Sequence, residues 1–210
     1  MPLAEQGLSY PGCWAYPDML EVSQTNTQGL APLTTTESRT HFGMWAIVSS
    51  PLILGFDLLN STAVDAAWPY ITNTEIIAVN QNYAGFSGSI FYNSPENTTF
   101  SPCTYGVQTC QYPSVQFLYK PQPNDTMAVM MVNNGDSPAD LSLHFNSIPK
   151  LVKAPAYILR DLWGQQDIDG RFCTDCSICS MCAYVSKGVA SRDSVFLQVL
   201  PIFCTGADCQ

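Results

Sequence analysis

Near Ser89 the chain changes its apolar period, and that change limits it to two kinds of structure joined in series. Before it, apolar residues recur at helical intervals or in unbroken runs. Thr34 and Glu37 stand at capping-box spacing, and Phe42, Trp45, Ala46 and Ser49 share one helical face, which predicts a helix from about Thr35 to Ser49. Pro51 stops it. The run Leu52-Ile53-Leu54-Gly55-Phe56 is apolar at successive positions, as in a strand covered on both faces of a parallel sheet. A short strand is expected upstream, near Gly12 to Tyr16, and a second helical stretch downstream, from about Ala63 to Val79, with a break near Pro69. Such alternation is that of a barrel or a doubly wound sheet. Beyond Ser89 the period is two. Strands are expected at Ile90 to Asn93, Val115 to Tyr119, Met127 to Asn133, Ala139 to Phe145, Ala156 to Trp163, Ala183 to Ser186 and Val195 to Leu200, with turn signals at Asn124-Asp125 and Asn133-Asn134-Gly135-Asp136. That pattern predicts an antiparallel β-sandwich, so residues 1–88 and 89–210 read as two parts.

Composition narrows the partners. Of 210 residues 46% are hydrophobic, ample for a packed core, and only 12% are charged with a net charge of -9, a balance that repels phosphate backbones and argues against nucleic acid. No stretch has the roughly 18 uncharged apolar residues of a membrane span. Nine cysteines and sequons at Asn60, Asn97 and Asn124 point to an oxidising, glycosylating compartment. The opening residues MPLAEQGLSYPG lack the charge and the apolar run of a signal peptide, so Met1 is expected to be an internal methionine or a gene-model start. The odd cysteine fits either a missing partner or a free thiol.

Three blocks carry a resemblance: CWAYPDML at 13–20, RTHFGMWAIVSSPLILGFDLLN at 39–60 and NTEIIAVNQ at 73–81. In that order they resemble the last quarter of the catalytic barrel of glycoside hydrolase family 27, the α-galactosidase and α-N-acetylgalactosaminidase family. Met127 to Asn134, Leu159 to Gly164 and Gly188 to Val199 are similar to its sandwich strands. The resemblance implies the C-terminal part of a (β/α)8 TIM barrel, namely its last two strand-helix units in residues 1–88, followed by an antiparallel β-sandwich. A whole barrel takes about 250 residues, so residues 1–88 alone are expected to be poorly stable.

The same resemblance implies a retaining hydrolase of terminal α-galactosides or α-N-acetylgalactosaminides, without cofactor, secreted or in a lysosome or vacuole. Retention needs two carboxylates about 5 Å apart, which the family supplies from Lys-x-Asp and Arg-x-x-x-Asp motifs. Neither occurs ahead of these blocks, so no catalytic residue is expected in this chain and the chain alone is expected to be inactive. Asp18 and Met19 match the end of the family's Trp-Asn-Asp-Pro-Asp-Met element, whose last two residues line the sugar pocket. Ala15 and Tyr16 depart from it where the family has Asn and Asp, which bears on the pocket rim and substrate choice. Asp57 is read as fixing its loop, and Arg39 and His41 as packing or surface residues. Trp14, Trp45 and Trp68 are expected in the core, with sugar stacking a second role for Trp14. Oligomeric state is open.

Cys173, Cys176, Cys179 and Cys182 form an insertion the family does not explain. Their spacing is similar to that of iron–sulfur and zinc loops. In an oxidising compartment disulfides among these four and with Cys204 and Cys209 are the better reading, and Cys103 with Cys110 would staple a hairpin. Two rival functions remain open: a non-catalytic carbohydrate-binding or structural sandwich module, and a metal protein built on the cysteine run.

Overall fold

Helix α1 (Thr35–Ile47) begins where its capping chemistry puts it. In this computed structural model, which describes residues 6–23, 33–100, 109–173 and 181–203, the Thr34 hydroxyl accepts from the Glu37 N–H at 3.3 Å and the Glu37 carboxylate accepts from the Thr34 N–H at 2.9 Å. The expected second helix is two helices, α2 (Ser61–Ile71) and α3 (Thr74–Gln81). Pro69 lies inside α2 and does not break it. An exposed proline forfeits a single intrahelical hydrogen bond, whereas the Asn73 side chain captures the N–H groups of both Glu75 and Ile76 at 3.1 Å and starts a new helix.

The two expected barrel strands are corrected. Residues 12–16 form no strand, because Tyr10 and Cys13 exchange hydrogen bonds of 3.1 and 2.8 Å and fold the backbone into a turn. Leu52 to Phe56 makes one parallel rung, Leu20 with Leu54, and Ile53 is 44% exposed rather than covered. Among the described residues the 52–56 run has only Leu20 as a strand-like neighbour and the 12–16 run only Tyr10, too little to propagate a parallel ladder.

Among the described residues ten strands follow: β1 (Ser89–Asn93), β2 (Asn97–Phe100), β3 (Cys110–Pro113), β4 (Val115–Pro121), β5 (Met127–Asn133), β6 (Ala139–His144), β7 (Ala156–Asp161), β8 (Gln166–Phe172), β9 (Ala183–Val189) and β10 (Ser194–Ile202). Six form one antiparallel sheet in the order β1-β4-β5-β10-β7-β8, and β6 pairs with β9, β2 with β3. Sequence periodicity misses β2, β3 and β8. All three are largely exposed and polar, and β8 lies at a sheet edge, so they lack the buried face that makes alternation visible.

Leu118, Ala128, Met130, Val132 and Phe196 project from one face of the large sheet onto Phe42, Ala46, Ile47, Ile76 and Val79 of the helices. From the other face Phe117, Tyr119, Val129, Met131, Leu197 and Val199 meet Leu141, Leu143 and Val189 of the β6–β9 pair. Alternation holds on β6, where Leu141 and Leu143 are buried while Ser142 and His144 are exposed. On β5 it is overturned: all seven residues are buried, because a layer covers each face of that central strand.

Several polar contacts bind the helices to the sheet side. Arg39 of α1 forms an ion pair with the buried Asp193, and Arg160 of β7 holds Glu75 of α3 at 2.8 and 2.6 Å. Asn73 donates to the Leu162 carbonyl at 2.9 Å. Lys120 of β4, fully buried, donates to the Val79 and Asn80 carbonyls at the end of α3. Burial pushes its ammonium down to about 7.

Candidate functional site

The turn from Pro17 to Glu21 is built against α1. Asp18 is exposed and holds a φ of 86°, a left-handed backbone that a non-glycine residue rarely adopts. Its carboxylate Oδ1 accepts from the Met19 N–H at 2.8 Å. Its carbonyl accepts from the indole N–H of Trp45 at 3.2 Å. One turn earlier on α1, His41 Nε2 accepts from the Glu21 N–H at 3.1 Å and its ring lies 3.9 Å from that of Trp45. Between them Leu20 is fully buried, donating to the Ile53 carbonyl at 2.7 Å and accepting from the Gly55 N–H at 3.0 Å. The turn therefore presents Asp18 and Met19, the latter 43% exposed, on a backbone tied at the Asp18 carbonyl, the Met19 N–H, both polar groups of Leu20 and the Glu21 N–H.

Burial lowers His41 to about 4, so at neutral pH it is an uncharged acceptor, and the Glu21 contact requires the proton to sit on Nδ1. The sequence placed His41 and Trp45 among packing residues. Their spacing of four on one helix was the signal that both face the same neighbour.

Trp14 is half-buried and packs edge-on against Tyr83, ring centroids 5.6 Å apart. Trp45 is half-buried, and Trp68, expected in the core, is 57% exposed on α2. Asp57 accepts from the Leu59 N–H at 2.9 Å, closing its own loop. Asn60 caps α2 by accepting from the Ala63 N–H at 3.2 Å, while Asn97 and Asn124 are exposed. Cys103, Cys176, Cys179, Cys204 and Cys209 lie outside the described residues. Cys110, Cys173 and Cys182 are disulfide-bonded, and Cys13 is an exposed free thiol. Among the described residues no three His, Cys, Asp or Glu side chains gather as metal ligands.

Residues 5–82, which hold this turn and the three helices, match the family model described as alpha galactosidase A, and residues 113–199 match that of the alpha galactosidase C-terminal beta sandwich domain. The chain belongs to the α-galactosidase family, glycoside hydrolase family 27. Alpha-galactosidase 3 of Arabidopsis thaliana is 33% identical to this family member over 158 residues, 75% of this chain and 31% of its own length. The alpha-galactosidase of Cyamopsis tetragonoloba is 29% identical over 153 residues, 73% of this chain and 31% of its own. The family chain described here thus spans about a third of the length of these curated relatives. An alpha-galactosidase of Saccharomyces cerevisiae solved with raffinose superposes with a TM-score of 0.71 at 18% identity, over 95% of this chain and 50% of that one. A family 27 β-L-arabinopyranosidase from Geobacillus stearothermophilus gives 0.68 at 20% identity, over 93% and 39%. Both likenesses establish the fold: the region aligned is the C-terminal part of barrel enzymes, ending in an antiparallel sandwich.

Proposed function

We propose that this chain is the C-terminal portion of a retaining α-galactosidase-type hydrolase, in which residues 1–88 complete the catalytic barrel and residues 89–210 form the supporting sandwich. It supplies sugar recognition through Asp18 and Met19, and the nucleophile and the acid/base come from residues other than its own. The observation that carries this reading is the Asp18 turn: an exposed carboxylate on a left-handed backbone, held in place by α1, within the stretch that matches the α-galactosidase A model. Strained backbone that the surroundings over-determine concentrates at ligand sites. Of the acids on this side, Asp18 and Asp57 each spend an oxygen on a neighbouring backbone N–H. Neither is arranged as half of the pair that retention demands. The substrate class is a terminal α-galactoside or its N-acetyl analogue. The disulfide-bonded state of Cys110, Cys173 and Cys182 and the exposure of Asn97 and Asn124 support a secreted, lysosomal or vacuolar glycoprotein.

Calorimetry with methyl α-D-galactopyranoside, run beside hydrolysis of 4-nitrophenyl α-D-galactopyranoside, tests the reading. Binding without turnover is expected, with Asp18→Asn weakening binding at least about tenfold, the effect of losing a charge-assisted hydrogen bond. Turnover by this chain alone would overturn the assignment of the chemistry to other residues. Binding that survives Asp18→Asn would move recognition to the sandwich and favour a carbohydrate-binding module.

A further inference from the structure

Two side chains with no assigned part in sugar binding hold the backbone that presents Asp18. We propose that His41 and Trp45 act as positioning residues, a paired clamp on α1 that fixes the Asp18 carboxylate and the Met19 side chain in the orientation a sugar would meet. The proposal rests on the recognition role given to Asp18 above.

The argument is one of backbone accounting. Asp18 and Glu21 bracket the turn, and each has a polar backbone group facing α1: the Asp18 carbonyl accepts from Trp45, and the Glu21 N–H donates to His41. The residues between them are held by other means, Met19 by the Asp18 side chain and Leu20 by the 53–55 run. Among the described contacts, those two alone hold the Asp18 carbonyl and the Glu21 N–H, and without them Asp18 is free to return from a φ of 86° to the ordinary negative range, which would swing its carboxylate and the Met19 N–H away together. The chemistry required is specific at both positions. Trp45 must bring a donor from a planar ring, and His41 must bring a bare acceptor nitrogen at the far edge of its ring. The ring centroids lie 3.9 Å apart at a tilt of 35°, so each ring limits the room the other has to rotate.

The test uses the full chain and the variants His41→Phe, His41→Gln and Trp45→Phe. His41→Phe and Trp45→Phe keep the ring bulk and lose the hydrogen bond. His41→Gln restores an acceptor at a similar reach. Amide hydrogen exchange at Met19 and Glu21 reports the turn, with the Val129 and Leu197 amides of the central sheet as the measure of the global fold. Expected are exchange about five- to tenfold faster at Glu21 in His41→Phe and at Met19 in Trp45→Phe, as one lost hydrogen bond implies, with the sheet amides unchanged. Galactoside affinity should fall in step, and His41→Gln should recover both. In the unaltered chain the imidazole nitrogen signals should show the Nδ1–H tautomer. Unchanged exchange at both turn amides over an intact sheet, or an Nε2–H tautomer, would overturn the clamp. If a phenylalanine variant loses sheet protection too, His41→Gln and the tautomer decide. Absence of galactoside binding by the unaltered chain would instead sink the recognition role, and the exchange pattern would still decide whether the pair holds the turn.

Discussion

Half-buried His41 and fully buried Lys120 are both ionisable, yet they respond to pH on opposite sides of neutrality. The unfolded chain protonates His41 near its ordinary value of 6.5, and the folded chain only near 4, so between these limits the unfolded state binds the extra proton. Stability from this residue is complete above 6.5 and is lost as pH falls toward 4, by up to about 3 kcal/mol. Urea denaturation at pH 7 and pH 4.5 checks it, with His41→Gln expected to flatten the difference. Lys120 releases its proton near 7 when folded and at its ordinary 10.5 when unfolded, so its contribution rises with pH across that interval. Lys120→Met should abolish that rise. At pH 9 it should also lower stability by about 1–3 kcal/mol, because the Val79 and Asn80 carbonyls lose a buried donor. Denaturation curves of both proteins across pH 7 to pH 10 would show it.

At the scale of elements, the ends of the helices matter more than their middles. Asn73 is the joint between α2 and α3 and also reaches the Leu162 carbonyl of the sheet side. Asn73→Ala removes a cap and a tertiary hydrogen bond together and should cost about 2–3 kcal/mol by chemical denaturation. Asn73→Asp keeps the cap, loses the donor, and should fall between. The start of α1 was legible in sequence because Thr34 and Glu37 cap it through contacts three residues apart. The α2–α3 break was not, because Pro69 is the louder local signal and the decisive Asn73 contacts are settled only once Leu162 is in place. Strand β8 stayed hidden for the opposite reason: Gln166 to Phe172 is an edge with almost no buried face, so burial never wrote a period into it.

In the whole molecule the helices and the large sheet share one apolar layer, so the chain should melt as a single cooperative unit. Gly88 lies at that junction. With a φ of +97° and a substituent there placed 1.8 Å from the Ile47 carbonyl oxygen, Gly88→Ala has no backbone or side-chain escape. It should cost more than about 4 kcal/mol and leave little folded protein, visible as loss of near-UV circular dichroism. Gly43 is the milder case, since a methyl there meets side chains rather than backbone: the flexible end of Met130 at 2.7 Å and the Trp163 ring at 3.1 Å.

By itself the sequence determined the order of helical and sandwich parts and the family, because caps, periods and motifs are written in residues close along the chain. Tertiary structure alone decided that β5 is covered on both faces, that Trp68 is exposed, and that His41 and Trp45 grip the turn carrying Asp18. Those outcomes depend on contacts between residues 20 to 154 positions apart, such as Glu21 with His41 and Arg39 with Asp193. Local pattern carries no record of which distant surface will arrive, and burial is settled only when it does.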